Sequence, residues 1–323
     1  MSGLFDSFQR RINYLRISVT DRCNLRCIYC MPPEGIPRMP HSEVLSYEEI
    51  STVAQIGAKL GINKIRLTGG EPLVRAELPK LVKMLSQIEG IGEVSLTTNG
   101  TLLKRYGLEL RRAGLSRVNV SLDTLKADRF RHITRLGKLE DALDGIEAAR
   151  GVGLHPVKIN MVVMRGINDD EVLDFANMTY KEGWHVRFIE LMPFADVTKF
   201  VPSSEIRQHI ESLGALEPCS PITGNGPARY YRLPGARGTI GFISPITEHF
   251  CSSCNRMRLT SDGKLCPCLL SDDKIDLKGL LRHNASLQEL ERLILRAVAS
   301  KPERHHLADG IVPMKQNMSQ IGG

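Results

Sequence analysis

Six of the eight cysteines fall into two triads whose spacing is typical of metal-cluster sites. The triads are Cys23-x3-Cys27-x2-Cys30 and Cys251-x2-Cys254 followed after thirteen residues by Cys268. Three thiolates saturate neither a tetrahedral zinc ion nor a four-iron cluster, which each take four ligands. A metal with fewer protein ligands keeps a position open for water or substrate, as catalytic sites do. The repeated arrangement therefore predicts chemistry rather than a purely structural role.

Other assignments of these cysteines stay open. Cys-x2-Cys pairs are common in zinc sites, so a zinc ion that borrows a fourth ligand such as His41 is the alternative for the first triad. Cys266 stands two residues before Cys268 and could replace Cys268 as a metal ligand or supply a fourth ligand. The proline between them restricts the backbone, so we do not expect both thiols to reach one metal. Cys219 has no assigned partner and is expected to be a buried, inert thiol.

Short apolar runs alternate with segments of helical periodicity and supply the elements that must position the cysteines. Strands are predicted at 15–19, 64–67, 94–97, 117–121, 157–163 and 186–190. Helices are predicted near 47–60, 75–89, 102–113, 139–150 and 170–182, with a further helix over 286–300. Repeated strand–helix units imply parallel strands joined by right-handed crossovers. Six strands rather than eight predict an incomplete, TIM-like (β/α)6 barrel that is open on one side.

The pattern changes after about residue 195, where prolines and glycines interrupt the periodicity. We therefore predict a barrel over residues 1–195 and a C-terminal region over 196–323 that carries the second triad. Ser46 with Glu49 is typical of a capping box at a helix start. Asn168 begins a run of cap candidates before the helix near 170–182.

Composition and charge restrict the function classes. The chain has 323 residues, 42% hydrophobic and 24% charged, which is ordinary for a soluble protein. Its net charge of +7 would suit nucleic acid or an anionic small substrate, but no dense basic run or basic–aromatic stripe favours nucleic acid. No signal segment follows the first residues and no stretch has the length of a membrane span, so we expect a cytoplasmic protein with reduced thiols.

The first triad lies where parallel sheets bind ligands. Such sheets place their sites on loops at the carboxyl ends of strands, and the first triad follows the first predicted strand. Its three thiols fall within eight residues, so one loop could wrap an iron–sulfur cluster. Thr-Gly-Gly-Glu-Pro at 68–72 follows the second strand, and its glycines permit close approach of the backbone to a ligand.

Together these motifs resemble the radical S-adenosylmethionine (radical SAM) superfamily, whose cysteine loop reads C-x3-C-x-aromatic-C. Tyr29 holds the aromatic position, and residues 68–72 look like the glycine-rich motif of that superfamily. The resemblance implies a [4Fe–4S] cluster on the first triad whose unligated iron is chelated by S-adenosylmethionine. The residues that the resemblance assigns to this cofactor are Tyr29, Gly70, Ser121 and Met192.

The resemblance narrows to the GTP 3′,8-cyclase family of molybdenum cofactor biosynthesis and runs essentially end to end. It is carried by residues 16–32, 66–73, 97–100, 121–123 and 249–269. That family holds an auxiliary [4Fe–4S] cluster on C-x2-C-x13-C, which implies Cys251, Cys254 and Cys268 as its ligands. The chain also ends in the paired glycines of the family, Gly322 and Gly323, and the resemblance implies that this tail reaches the active site.

The resemblance also gives the basic residues a function. Arginine forks match phosphate oxygens bidentately, and a triphosphate is strongly anionic. The residues assigned by resemblance to GTP are Arg16, Arg66, Thr97, Lys158, Arg256, Met257 and Arg258.

The reaction implied is a lyase reaction that closes GTP to (8S)-3′,8-cyclo-7,8-dihydroguanosine 5′-triphosphate after a 5′-deoxyadenosyl radical abstracts the ribose 3′-hydrogen. The expected partners are GTP, an electron donor and a downstream pterin-forming enzyme, with a homodimer as a further expectation and neither nucleic acid nor membrane. One alternative is a peptide-modifying radical enzyme, although those generally have a longer, cysteine-richer C-terminal region. The other alternative is a zinc-stabilised protein that binds nucleic acid.

Overall fold

Six parallel strands form the centre of the sheet in this computed structural model, which describes residues 3–283 and 286–307. Their bounds are β1 Tyr14–Ser18, β2 Lys64–Thr68, β3 Glu93–Thr98, β4 Arg117–Ser121, β5 Lys158–Val163 and β6 His185–Glu190. Each pairs in parallel with the next. The predicted incomplete barrel of strand–helix units is confirmed.

Helices connect successive strands. Their bounds are α1 Tyr47–Leu60, α2 Leu78–Ser86, α3 Leu103–Arg112, α4 Ala127–Thr134, α5 Leu139–Gly151 and α6 Val172–Lys181. The predicted capping box of α1 is confirmed, since Ser46 and Glu49 exchange their side-chain and backbone hydrogen bonds. The predicted cap at Asn168 is wrong, because its side chain caps no helix and instead donates to the carbonyl oxygens of Asp123 and Val162. No helix in the described ranges is long and apolar enough to cross a membrane.

The chain after β6 extends both edges of the sheet. Its elements are α7 Ser203–Glu211, β7 Glu217–Pro218, β8 Arg229–Arg232, β9 Thr239–Ile243, β10 Arg256–Leu259, β11 Lys264–Cys266, β12 Ile275–Asp276, α8 Lys278–Arg282 and α9 Leu287–Ala299. The strand order is β12-β11-β10-β1-β2-β3-β4-β5-β6-β9-β8-β7, with β10 parallel to β1 and β9 parallel to β6. The C-terminal region therefore shares one sheet with the barrel, and the boundary at residue 195 stays a prediction.

The central strands alternate between apolar and polar residues. Leu15 and Ile17 of β1 lie in the hydrophobic core, whereas Arg16 between them lines an internal cavity. In β6, Phe188 lies in the core and Arg187 lines the cavity. Parallel strands covered by helices are usually apolar on both faces, so a polar inner face indicates that the barrel interior holds a polar ligand.

Candidate active site

The cavity has a volume of about 300 Å³ and lies inside the barrel. Predicted site residues in its wall are Cys23, Cys27, Cys30, Tyr29, Gly70, Ser121, Met192, Arg16, Arg66, Thr97, Arg256 and Arg258. The first triad follows the carboxyl end of β1, whereas Cys251 and Cys254 of the second triad precede β10 and Cys268 follows β11, which is antiparallel to β10. Arg256 at the start of β10 pairs with Tyr14 at the start of β1, so the triads lie at opposite ends of β1. A strand of this length spans about 15 Å.

Helix α4, which the sequence analysis missed, supports the first cysteine loop. The amides of Arg26 and Ile28 donate to the carbonyl oxygens of Thr134 and Ile133 at the end of this helix. Arg135 donates to two carbonyl oxygens of the same loop, those of Arg26 at 2.8 Å and Met31 at 2.9 Å. These bonds hold the loop against the barrel, with its three thiols facing one cavity.

The donor set of the first triad fits a cluster better than a single ion. Burial raises the pKa of Cys23 to about 12 and also raises the pKa of Cys27, and neighbouring thiols of the triad add to both shifts. Within residues 3–283 and 286–307, no three His, Cys, Asp or Glu side chains converge on one metal-ion position. The zinc alternative with His41 requires that convergence. A four-iron cluster does not, because each thiolate binds a different iron atom.

The glycine-rich segment after β2 packs against the cysteine loop. The amides of Gly70 and Glu71 donate to the carbonyl oxygens of Thr20 and Arg22, each at 2.8 Å. A Cβ atom on Gly70 would lie 2.4 Å from the carbonyl oxygen of Arg22. Close approach of the cysteine loop is thus sufficient reason for glycine here, and the contact of Gly70 with S-adenosylmethionine stays a prediction.

Two buried carboxylates fix the loops around the first triad. Glu71 accepts from the amides of Leu73 and Asn99 and from the hydroxyl of Thr98, which ties the loop after β3 to the loop after β2. Asp123 accepts from the Tyr29 hydroxyl at 2.7 Å and from the Val162 amide at 2.8 Å.

Burial raises the pKa of both carboxyl groups, to about 7 for Glu71 and about 6 for Asp123. Sequence analysis missed both carboxylates, although Glu71 stands within the glycine-rich motif.

A row of arginines crosses the wall of the cavity. Arg16 on β1 lies beside Arg258 on β10 and Arg66 on β2 in register. Burial and then the neighbouring arginines lower the pKa of Arg16, and burial followed by Arg256 lowers that of Arg258 to about 10. Adjacent buried cations repel one another, so the row favours a polyanionic ligand.

Arg187 joins this basic wall and was missed by the sequence analysis. It is buried, and its Nε and Nη2 atoms make no hydrogen bond to any described residue. Burial lowers its pKa to about 10. A buried guanidinium with unused donors is unusual in proteins and indicates a ligand site. The signal in the sequence was an arginine at an inner position of an apolar strand.

Two predicted GTP residues do not line the cavity. Lys158 is buried and donates to the carbonyl oxygen of Thr223 at 2.8 Å and to the Tyr230 hydroxyl at 3.2 Å. Burial, followed by the nearby arginines, lowers its pKa to about 6. Met257 is 1% exposed in the hydrophobic core, so a contact with a ligand would fall to its backbone. The predicted tail glycines, Gly322 and Gly323, lie outside the described residues.

Basic side chains contact the second cysteine triad and its loop. Burial is the largest single influence on the pKa of Cys254 and would raise it. The combined effect of Arg256 and Lys301 is greater, so the pKa falls to about 6. Arg256 Nη2 lies 3.6 Å from the Cys254 sulfur. Arg10 donates to the carbonyl oxygen of Cys251 at 2.8 Å. A thiolate stabilised in this way is the form that binds a metal.

The remaining cysteines differ from each other. Cys266 ends β11, is 3% exposed and lies opposite Arg258, and burial raises its pKa to about 11. Cys268 is more accessible, and its sulfur accepts from the Leu270 amide at 3.4 Å, as the sulfur of Cys23 does from the Leu25 amide. The expectation that Cys219 is buried is wrong, because it is half-buried where it follows the edge strand β7, with its amide donating to the carbonyl oxygen of Tyr230 in β8.

Known proteins resemble this chain over its whole length. Residues 17–179 match the model of the radical SAM superfamily, and residues 184–307 match the model Molybdenum Cofactor Synthesis C. Proteins named GTP 3′,8-cyclase from Moorella thermoacetica and Pelotomaculum thermopropionicum are each 53% identical over 98% of this chain and 99% of their own length. The structure of Streptococcus suis SuiB bound to precursor peptide SuiA matches with a TM-score of 0.65 at 13% identity, over 90% of this chain and 65% of that one. This last likeness shows the fold alone.

Proposed function

Because the chain belongs to the radical SAM superfamily and, within it, to the GTP 3′,8-cyclases of molybdenum cofactor biosynthesis, we propose that its barrel cavity is the site where GTP is cyclised. The enzyme converts GTP to (8S)-3′,8-cyclo-7,8-dihydroguanosine 5′-triphosphate. The observation that supports this proposal is the row of arginines in a cavity whose wall contains the first cysteine triad and Phe250, Arg256 and Leu269, which are neighbours in sequence of the second triad, although no cysteine of the second triad lines it.

The cysteine loop after β1 would hold the first cluster and S-adenosylmethionine. When bound, this pair supplies the electron and the 5′-deoxyadenosyl radical that removes the ribose 3′-hydrogen. Cys23, Cys27 and Cys30 would be the ligands, with Tyr29, Gly70, Ser121 and Met192 around the cofactor. The hydrogen bond from Tyr29 to Asp123 joins this loop to the end of β4, so the loop and the barrel wall keep one relative position. Such fixed positioning is what a radical reaction requires of the protein.

The basic wall would bind GTP. Arg16, Arg66, Arg187 and Arg258 could take the triphosphate through charge-assisted hydrogen bonds, with Thr97 beside Arg66. Lys158 would have to exchange its bond to the Thr223 carbonyl oxygen for one to substrate. Cys251, Cys254 and Cys268 would hold the auxiliary cluster, which with three protein ligands would leave a binding position for the guanine base, and Arg256 lies beside this triad. The tail with Gly322 and Gly323 would complete the site.

Alanine variants at the two triads test this division of roles. Cys27→Ala should abolish cleavage of S-adenosylmethionine, measured as 5′-deoxyadenosine. Cys268→Ala should keep the first cluster and its cleavage activity but stop GTP cyclisation. Cleavage by Cys27→Ala at the wild-type rate would contradict the assignment of the first triad, and full cyclase activity of Cys268→Ala would contradict that of the second.

The reaction also needs partners beyond GTP. We propose an external electron donor, because reductive cleavage of S-adenosylmethionine consumes an electron from the first cluster. We also propose a downstream enzyme that builds the pterin, because the product is still a purine ring system, reduced at N7 and C8 and bonded from C8 to the ribose. A homodimer and a cytoplasmic location are further proposals. Size-exclusion chromatography with light scattering tests the first of these two, and cell fractionation tests the second.

A further inference from the structure

Lys301 is a buried cation that no described carboxylate neutralises. It lies just after α9 and is 3% exposed. Its ammonium group donates to the carbonyl oxygen of Arg256 at 3.0 Å and to that of Pro267 at 2.6 Å. Within residues 3–283 and 286–307 it forms no ion pair with an aspartate or glutamate. A buried ammonium is costly without an anion nearby, so an opposing charge must be sought around it.

The second cysteine triad lies on the chain segments that this ammonium contacts. Arg256 stands two residues after Cys254, and Pro267 directly precedes Cys268. The ammonium therefore bridges the two chain segments that carry these cysteines. Lys301 also acts electrostatically on Cys251 and Cys254, and in each case it favours the thiolate. A cluster held by three thiolates carries negative charge and would be the counter-ion that the described carboxylates do not provide.

Arg10 holds the same loop in a different way. It donates to the carbonyl oxygens of Cys251, Pro302 and Glu303. Its guanidinium is already paired with the buried carboxylate of Asp6 at 2.6 Å. The Asp6–Arg10 pair fixes the loop without adding net charge, whereas Lys301 brings both a bridge and a positive charge.

We propose that Lys301 is a positioning residue of the auxiliary cluster and that its charge raises the reduction potential of that cluster. Reduction adds an electron to an already negative group, and a nearby buried cation favours the reduced form. The inference rests on the proposed function, since it requires a cluster on Cys251, Cys254 and Cys268.

The test is a redox titration, followed by electron paramagnetic resonance, of full-length protein loaded with both clusters. Lys301→Gln removes the positive charge and keeps a hydrogen-bond donor, whereas Lys301→Arg keeps the charge. The control is the double variant Asp6→Asn with Arg10→Gln, which changes the contacts of the same loop without changing its net charge. A form with alanine at Cys23, Cys27 and Cys30 identifies the signal of the second cluster. At a fixed potential, Lys301→Gln should lower the ratio of reduced to oxidised second cluster about tenfold, or 59 mV for one electron. In Lys301→Arg and in the Asp6–Arg10 double variant, this ratio should stay within about twofold of wild type.

Each outcome is informative. The inference would be overturned if the midpoint potential of the second cluster in Lys301→Gln equalled that of wild type. It would also be overturned if Lys301→Arg or the Asp6–Arg10 double variant shifted this potential as much as Lys301→Gln does. If Lys301→Gln fails to hold the second cluster by iron analysis, retention in Lys301→Arg supports the role of the charge. Loss of the second cluster in both Lys301→Gln and Lys301→Arg would overturn the role of the charge, and would show only that the site requires the shape of the lysine side chain. Wild-type protein without a second cluster would instead contradict the proposed function.

Discussion

Replacing Glu190 with glutamine should loosen the connection between the barrel and the second triad. Glu190 ends β6 and is 0% exposed. One carboxylate oxygen accepts from the Ser203 amide at 3.0 Å and from the Thr247 hydroxyl. The other accepts from the amides of Ile246 and Thr247 at 3.0 and 3.1 Å. The carboxylate thus ties β6 to the start of α7 and to the loop that leads to Cys251.

The magnitude follows from the donors that lose their acceptor. Glutamine keeps the shape of glutamate but replaces one oxygen with an amide group that donates. In the better orientation the Ser203 amide is left without an acceptor while the Thr247 hydroxyl turns to accept. An unsatisfied buried donor costs about 1–3 kcal/mol, and the two remaining bonds lose about 1 kcal/mol each because their acceptor is no longer charged. The expected loss in the free energy of unfolding is about 3–5 kcal/mol.

Denaturation of the cluster-free protein in urea measures this loss directly. Glu205→Gln is the matched control, because Glu205 forms an ion pair with Arg165 in which both side chains are nearly half exposed. Such a pair contributes at most about 1 kcal/mol. A loss below about 0.5 kcal/mol for Glu190→Gln, or one no larger than that of the control, would show that the Glu190 carboxylate does not hold β6 to the loop that leads to Cys251.

Three further results are expected. Arg187→Gln should weaken GTP binding at least about tenfold by calorimetry while binding of S-adenosylmethionine is unchanged, and an unchanged GTP affinity would remove Arg187 from the site. Because the folded-state pKa of Asp123 is raised to about 6, its contribution to stability is present below about pH 4 and is lost as the pH rises through 6. Relative to Asp123→Asn, wild type should therefore lose about 2–3 kcal/mol between pH 4 and 7 in denaturant titrations, and a pH-independent difference would contradict this. Cys266→Ser should keep the iron content of both clusters and Cys268→Ser should lose that of the second, and the reverse result would exchange their roles.

The sequence predicted the elements whose buried faces are apolar. All six central strands and α1 appear within a residue or two of their predicted bounds, because alternating core residues and a capping box are local signals. Helix α4 was missed because only Phe130 and Ile133 give it buried apolar side chains. Strand β10 was missed because its inner positions are arginines, Arg256 and Arg258, which look like a solvated segment until the cavity is known.

The site residues could be predicted from the sequence where their function requires a fixed spacing along the chain. The cysteine triads and the glycine-rich segment have fixed spacings, and the structure places the first triad in the cavity wall. Arg187 and Lys301 have no such pattern. Arg187 matters because β6 places it in the same cavity wall as the other arginines, and Lys301 matters because it follows α9 and contacts the second cysteine loop. These contacts join residues far apart in the chain and follow only from the packed fold.

The most direct test of the account uses GTP deuterated at the ribose 3′ position. Protein reconstituted with iron and sulfide is incubated anaerobically with this substrate, S-adenosylmethionine and a reductant, and the 5′-deoxyadenosine formed is analysed by mass spectrometry. Deuterium is expected in that product, and its presence would identify the radical, the substrate and the abstracted hydrogen together. Unlabelled 5′-deoxyadenosine, formed at the same rate without GTP, would contradict this expectation.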